Sequence, residues 1–350
     1  MLFSRKKGVL GLDIGSGSIK VLELAETKLG YQLVNFGIAY MPHETIVDST
    51  IMNAPAVVNA VRTLIAENNV KSPRDVSTSV SGHSVIIRKI TLPLMTEEEI
   101  EGNIQWEAEQ YIPFDINEVN IDYQRLAMEG DDQESQDVLL VAVKKEMVND
   151  YTAVISEAGL NPVIMDVDAF AVQNMYEVNY EVERGKVVTL VNIGASVINI
   201  NIVHNGNSVF TRDMSIGGNH YTEELQKQLS VSFEEAEQIK LGKQQADQDI
   251  QPILDGISNS IALEIQRSLD FFTATSNFAH ISKVYLAGGA AKTAGLQQII
   301  ENQVGIPVEM INPFNNIEVP TKSFDMDYIQ EIAPLCGVVV GLALRRLGDK

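Results

Sequence analysis

The sequence predicts an α/β protein of two related lobes around one cleft, with a small α/β insertion in the first lobe. Three observations carry this. An apolar strand, a glycine turn and a second alternating strand occupy residues 9–24, and the same design returns 179 residues later at 188–203, with matches at Val9/Val188, Ile14/Ile193, Gly15/Gly194 and Ile19/Ile198. Each copy reads as a β-hairpin with a small-residue tip. Strand and helix patterns alternate through both halves. More structure lies between the two copies than one lobe needs.

In chain order, residues 85–93 read as a strand ending at Pro93. Thr96 then opens a helix, with Thr96 and Glu99 as a capping box and Met95 and Ile100 as a hydrophobic staple. Ile100, Ile104, Ala108 and Tyr111 form its apolar stripe, and Pro113 is expected to end it. Two strands follow near 120–128 and 137–143. The turn at 129–137 carries five carboxylates and reads as a solvated hairpin tip. A helix over 146–158 ends at Gly159. In the second half a helix spans 221–229, and Ser232 with Glu235 caps the next. Residues 252–278 read as a long amphipathic helix with Leu254, Ile257, Ile261, Ile265, Leu269 and Phe272 on one face. The buried strand 284–287 runs into Gly288-Gly289, which opens a helix. A last helix is expected from about 330 to 347.

Composition narrows the function. The chain has 350 residues, 45% of them apolar, with 26 Lys+Arg against 47 Asp+Glu and a net charge of −21. So acidic a chain is a poor coat for nucleic acid or an anionic bilayer, because phosphate binding depends on clustered Lys and Arg. The single cysteine, Cys336, excludes an intrachain disulfide and a cysteine metal site. It lies in the apolar run 332–344, thirteen residues long and short of the roughly 18 to 20 that span a bilayer. The first residues, Met1 to Lys7, begin like a signal peptide, but Asp13 interrupts the apolar stretch. A cytosolic protein is expected, held at a membrane, if at all, by a partner. The five histidines show no metal-ligand spacing.

The chemistry concentrates in residues 13–20. Gly15, Ser16 and Gly17 permit a tight turn whose N–H groups converge on an anion, and Asp13 places a carboxylate beside it. Phosphate with carboxylate is where Mg²⁺ and its waters belong. Lys20, on the outgoing strand, can reach the phosphates as a point charge. A plain hairpin with an exposed Asp and Lys fits the segment alone equally well. The second copy, Asn192-Ile193-Gly194-Ala195-Ser196, could clamp the same phosphates from the opposite lobe. Gly288-Gly289-Ala290 could let backbone approach a flat base. Together, in this order and spacing, the three elements favour a nucleotide.

These three segments resemble the phosphate 1, phosphate 2 and adenosine motifs of the actin-like ATPase superfamily. The insertion resembles the relocated 1C subdomain of the FtsA branch. The opening Leu-Phe-Ser-Arg-Lys-Lys, the segment 192–196 and the tail from Ala333 to Arg345 are similar to PilM-like type IV pilus assembly proteins. The resemblance implies ATP and Mg²⁺ as ligands. Asp13 would hold the Mg²⁺ hydration shell; Gly15, Ser16, Gly17 and Lys20 would contact the β- and γ-phosphates; Gly194, Ala195 and Ser196 would form the second phosphate loop. Gly217 and Gly218 resemble the turn into subdomain 2B. Glu237 and Lys240 match an Ala-Glu-x-x-Lys segment that would bind ribose and line adenine, where the residues alone suggest only a solvated ion pair. Gly288, Gly289 and Ala290 would face the adenosine.

Two departures from the family pattern concern catalysis. Asn192 stands where hydrolysing relatives usually carry Asp, and an amide can orient water but cannot act as a base. Asp168 takes the place of a water-positioning Gln or Glu and is shorter than Glu. Tight nucleotide binding with weak or absent turnover is expected. Subdomain 1A is expected at 1–84, 161–186 and 333–350, 1C at 85–160, 2A at 187–215 and 280–332, and 2B at 216–279.

The resemblance also implies partners: the cytoplasmic N-terminal tail of a PilN-type inner-membrane protein, bearing an Asn-Leu-Leu-Pro-like segment, and the motor ATPases of the pilus machine. The tail would dock between 1A and 1C, and Ile87, Ile90, Ile100, Ile104 and Trp106 are the candidate groove residues. The alternatives are a small-molecule kinase of the same superfamily, which lacks an evident base here, and a filament-forming bacterial actin.

Overall fold

The computed structural model describes residues 8–349 apart from 69, 71–73, 127–134, 277 and 279. The opening Leu-Phe-Ser-Arg-Lys-Lys and most of the acidic tip at 129–137 lie outside the described residues.

Two sheets embody the duplication. In the first, the strands run in the order Asn161–Val167, Asp75–Val80, Leu10–Ile14, Ser18–Thr27, Gly30–Tyr40, Ile317–Glu318. In the second the order is Val308–Met310, Lys283–Ala287, Val187–Ile193, Ile198–His204, Asn207–Met214. Each has a central strand paired antiparallel within its hairpin and parallel to the neighbour on its other side. Strands buried on both faces need continuous apolar runs, and Leu10–Ile14 is buried along its whole length.

The lobes exchange helices. Asp168–Asn179 leaves the first sheet and packs on Val187–Ile193 and Ile198–His204. Gly337–Leu344 packs instead on Leu10–Ile14 and its neighbours in the first sheet. The two helices cross at Gly341, where a Cβ would stand 1.7 Å from the Ala171 carbonyl oxygen. A Cβ on Gly11 would stand 2.5 Å from the carbonyl of Val339. Close backbone approach therefore welds the lobes at their base. Gly341→Ala is expected to destabilise the fold by on the order of 3 kcal/mol, because neither helix backbone can yield cheaply. Gly102→Ala is the control: no atom lies within 4 Å of its Cβ position, and in mid-helix it should be neutral or slightly stabilising. Thermal melts of the two variants compare them directly.

The insertion is a three-stranded sheet in the order Val85–Pro93, Ser135–Lys144, Val119–Arg125, crossed by helix Glu97–Ala108. Thr96 and Glu99 form the capping box, satisfying two otherwise unpaired donors. This unit has its own core of Ile90, Ile100, Ile104, Val138, Leu140 and Ala142. Helix Lys145–Glu157 does not belong to that core, because Met147, Tyr151, Val154 and Ile155 pack beneath the first sheet.

Several element ends differ from expectation. The helix expected to run to Pro113 stops at Ala108, whose carbonyl accepts the N–H groups of both Tyr111 and Ile112. That turn swings Tyr111 outward and buries Ile112 in its place. The last helix is broken into Met326–Ile332, a 3₁₀ turn Ala333–Cys336 and Gly337–Leu344. Pro334 lacks the N–H that would continue the ladder, and its carbonyl accepts the Gly288 N–H at 2.7 Å. The stretch Met326–Leu344 is long and apolar enough to cross a membrane by composition, yet 72% of it is buried inside the fold. Cys336 is buried there, and burial pushes its thiol up to about 12, which removes it as a nucleophile. Gly288-Gly289 leads only into a short 3₁₀ turn, Ala290–Lys292, before helix Leu296–Val304 begins.

Candidate functional site

The hairpin register places Asp13 directly opposite Lys20 and Ile14 opposite Ile19, with the turn closed by the Gly15 N–H donating to the Ser18 carbonyl at 3.2 Å. Cross-strand partners share a face, so the Lys20 ammonium reaches the Asp13 carboxylate at 2.9 Å. Each residue is only 8% exposed. This is no solvated surface pair.

The second hairpin repeats the design with different chemistry. Asn192 lies opposite Asn199, and Gly194 N–H donates to the Val197 carbonyl at 2.9 Å. Asn199 stands where the repeat puts the counterpart of Lys20. The ion pair of the first lobe becomes an amide pair, with Asn192 Nδ2 donating to Asn199 Oδ1 at 3.0 Å. The two turns meet across the cleft: Ser196 Oγ donates to Ser16 Oγ at 2.7 Å, and a Cβ on Gly17 would lie 2.9 Å from that of Ala195.

The other glycine elements close on the second turn. Gly218 N–H donates to the Gly194 carbonyl at 2.9 Å and Asn219 N–H to the Ala195 carbonyl at 2.7 Å. A side chain on Gly217 would collide with the Gly194 carbonyl at 2.6 Å, and Gly218 has the Ala290 Cβ only 3.2 Å from where its own would be. Gly288, with φ +92°, has the Ile193 carbonyl at 2.2 Å from an added Cβ. Only glycine combines that φ with that approach. Gly289 has ordinary packing room against Leu335.

Glu237 and Lys240 lie on helix Phe233–Lys240, capped by Ser232 and Glu235. Lys240 Nζ donates to Glu237 Oε2 at 2.6 Å, to Thr222 Oγ1 at 2.9 Å and to the Gly218 carbonyl at 3.2 Å. Thr222 Oγ1 in turn donates to Glu237 Oε2 at 2.5 Å. The pair is thus tied to the glycine turn of the second lobe. The rings of His43, just after strand Gly30–Tyr40 of the first lobe, and Phe233, at the start of its helix in the second, stack at 3.6 Å.

Asp168 opens its helix and accepts the Ser79 hydroxyl at 2.6 Å. Burial, then the Asp13 charge, push its carboxyl up to about 6, against hydrogen bonds from Ser79 and Ser81. A carboxyl so raised accepts protons more readily near neutrality than an ordinary Asp does. Its sign in stability is definite. The folded group holds its proton to higher pH than the unfolded one, so its contribution is full below about pH 4 and is lost as pH rises towards 6. Asp168→Asn, which can still accept from Ser79, is expected to raise stability at pH 8 by up to about 2 kcal/mol. The gain should shrink to near zero at pH 4, in melts of both proteins across that range.

The groove residues divide. Ile90, Ile100 and Ile104 are 3%, 0% and 7% exposed, filling the core of the small sheet, and so cannot line an open groove. Ile87 is partly buried and Trp106 is 66% exposed. Ile87, but not Trp106, lines a cavity of about 230 Å³ that is walled by Gly82, His83, the strand start Val85 to Arg88, and Thr211 to Asp213. It separates two edge strands, Val85–Pro93 and Asn207–Met214. Asp213, missed in the sequence, is held between lobes by the Gly82 N–H at 2.6 Å and Asn199 Nδ2 at 2.9 Å. Burial raises its pKa. Among the described residues no group of three or more His, Cys, Asp or Glu is placed to hold a metal.

Duplicated lobes, exchanged helices and converging glycine turns define the actin-like ATPase fold. The ethanolamine utilization protein EutJ from Carboxydothermus hydrogenoformans shares it at TM-score 0.58 and 17% identity, over 98% of this chain and 91% of that one. MreB5 of Spiroplasma citri, solved bound to ADP, shares it at TM-score 0.53 and 13% identity, over 96% and 94%. The match is more specific in the family described as Type IV pilus assembly protein PilM, which covers residues 11–347, and the chain belongs to that family. It is similar to the solved PilM-PilN type IV pilus biogenesis complex at TM-score 0.86 and 28% identity, over 97% of this chain and 99% of that one.

Proposed function

We propose that this protein is a nucleotide-binding scaffold of the type IV pilus machine, docking the cytoplasmic tail of a PilN-type inner-membrane protein. The observation that supports it most is likeness along almost the whole chain to a protein solved with PilN. The cavity beside the insertion suits such a tail. Val85–Pro93 is an edge strand, and an edge offers main-chain groups to an extended peptide while pockets select alternate side chains. Arg88 and Arg212 lie at this cavity in an otherwise acidic protein. Exposed Trp106 on the same unit is a further anchor. With net charge −21, the protein needs such a tether at the cytoplasmic face of an anionic bilayer. The resemblance extends the same scaffold role to the motor ATPases.

For the cleft, the residues fit Mg·ATP. The glycine turns of the two lobes face each other, with Ser196 Oγ donating to Ser16 Oγ, and small residues at such turns let backbone N–H groups approach a phosphate. Asp13 would hold Mg²⁺ through water beside the first glycine turn. Lys20 and the turns at Gly15–Gly17 and Gly194–Ser196 would take the phosphates, and Glu237 with Lys240 the nucleoside. Asn192 adds no charge beside the metal, and its amide is engaged by Asn199. The resulting expectation is stoichiometric ATP binding with turnover far below the roughly 1 s⁻¹ of slow ordinary enzymes. Phosphate release by purified protein checks this. A faster rate that Asp168→Asn suppresses would make the protein an ATPase rather than a scaffold.

A further inference from the structure

Lys240 is fully committed within the protein. An ammonium has three N–H donors and no acceptor. Here the three go to Glu237 Oε2 at 2.6 Å, Thr222 Oγ1 at 2.9 Å and the Gly218 carbonyl at 3.2 Å. Thr222 is wholly buried, one helical turn beyond Gly218 on helix Gly218–Leu229. Its hydroxyl accepts from Lys240 and donates its one proton to Glu237 Oε2 at 2.5 Å. The Gly218 carbonyl, 3.3 Å from the same hydroxyl, lies beyond the usual O–H···O range. Glu237 Oε2 therefore accepts two donors, which fixes the carboxylate. Among the described residues no donor bonds Glu237 Oε1. The Glu237 side chain is 32% exposed against 12% for Lys240, so the carboxylate is the accessible member of the pair. The group adjoins two glycine turns: the Gly218 N–H donates to the Gly194 carbonyl at 2.9 Å, and the Ala290 Cβ packs against Gly218.

We infer that Thr222 and Lys240 are positioning residues that pin Glu237 as an acceptor for sugar hydroxyls, so that the cleft selects ribonucleotides over deoxyribonucleotides. The inference rests on the proposed reading that Glu237 faces the nucleoside. Ribose offers two neighbouring O–H donors, and an ionised carboxylate oxygen offers lone pairs and no proton. A carboxylate free to rotate turns to water when one sugar hydroxyl is missing, and little affinity is lost. A carboxylate held through its other oxygen cannot turn, and the missing donor leaves it underpaired. Sites built to bond a hydroxyl reject the analogue that lacks it for this reason. Selectivity thus depends on the pinning as much as on Glu237 itself. Lys240, with every donor engaged, acts on the nucleotide through Glu237 and not by touching the base.

The test uses the full chain and calorimetric Kd values for ATP, 2′-deoxyATP and 3′-deoxyATP, each with Mg²⁺. In the natural sequence at least one deoxy analogue should bind about tenfold or more weakly than ATP, the scale of a lost hydrogen bond to a charged group. Thr222→Val removes the hydroxyl at nearly constant volume, and Lys240→Met removes the ammonium. Each should bring the ratio of deoxy to ribo Kd close to one, whereas Thr222→Ser, which keeps the hydroxyl, should preserve it. Lys240→Met leaves Glu237 a third exposed and able to hydrate, so it keeps the test open if Thr222→Val fails to fold. A residue that served only the fold, or a Lys240 that touched the base, would weaken ATP and its analogues alike and leave the ratio unmoved. A ratio of one in the natural sequence, or an unchanged ratio in either folded variant, would overturn the inference. Failure of all three nucleotides to bind would instead overturn the nucleotide reading of the cleft, and the inference with it.

Discussion

Excising residues 86–142 and joining Val85 to Val143 through a short flexible link is expected to abolish capture of the PilN-type tail while nucleotide binding remains measurable. Val85 and Val143 face each other in the pairing, and the Lys144 N–H donates to the Ser84 carbonyl at 3.1 Å. The chain therefore leaves and re-enters the first lobe at nearly one point, and short loops close such gaps cheaply. The excised unit carries a separate core. Val85, Val143 and helix Lys145–Glu157 must stay, because they pack in the first-lobe core. A wider cut through residue 160 would strip Met147, Tyr151, Val154 and Ile155 from that core and confuse lost binding with lost folding. Every cleft residue named above lies outside the cut, whereas the cavity loses its wall from Ile86 to Arg88. Calorimetry with nucleotide and anisotropy with the labelled tail separate the two functions. A folded, excised protein that still captures the tail at unchanged affinity would show that the insertion is not the docking site.

The second large effect concerns Asp13. Its replacement should weaken Mg·ATP binding by about tenfold or more, the scale of a lost charge-assisted contact. The choice of variant matters. Asp13→Ala also strands the Lys20 ammonium, which is 8% exposed and has Asp13 as its ion-pair partner. Removing one member of a buried pair costs about 3–5 kcal/mol, so weak binding could reflect unfolding. Asp13→Asn retains a hydrogen-bond acceptor for Lys20 and removes the charge beside the metal. Titration of Asp13→Asn at a temperature well below its melting point is expected to show the tenfold loss. Unchanged affinity would mean that Asp13 serves the fold through Lys20 and not the nucleotide.

How far the sequence spoke depended on whether a feature was local. The two hairpins were legible because their alternation and glycine tips recur at a fixed offset, and the register then places Asp13 on Lys20 and Asn192 on Asn199. Both Ser/Thr capping boxes were legible for the same reason, being complete within four residues. Asn199 itself was missed, although the repeat that pairs Ile19 with Ile198 also sets it opposite Lys20. Asp213 carried no such mark: its partners, Gly82 and Asn199, come from different lobes. Thr222, which binds both Glu237 and Lys240, was hidden in the same way by chain separation. Apolar pattern could not tell core from groove, so Ile90, Ile100 and Ile104 matched a docking face until the small sheet was seen to bury them. The break at Pro334 was visible as a proline, but its use, a carbonyl offered to Gly288, depends on the end of strand Lys283–Ala287, distant in the chain.

The central claim, a scaffold tethered by a PilN-type tail, is tested most directly on vesicles. Purified protein is mixed with vesicles of anionic lipid displaying the tail on a membrane anchor, and with bare vesicles of the same lipid, then separated by flotation. Saturable, one-to-one capture by tail-bearing vesicles is expected, with release by free tail peptide and no capture by bare vesicles. Equal retention on both kinds of vesicle, or no capture by the tail at any concentration, would contradict it.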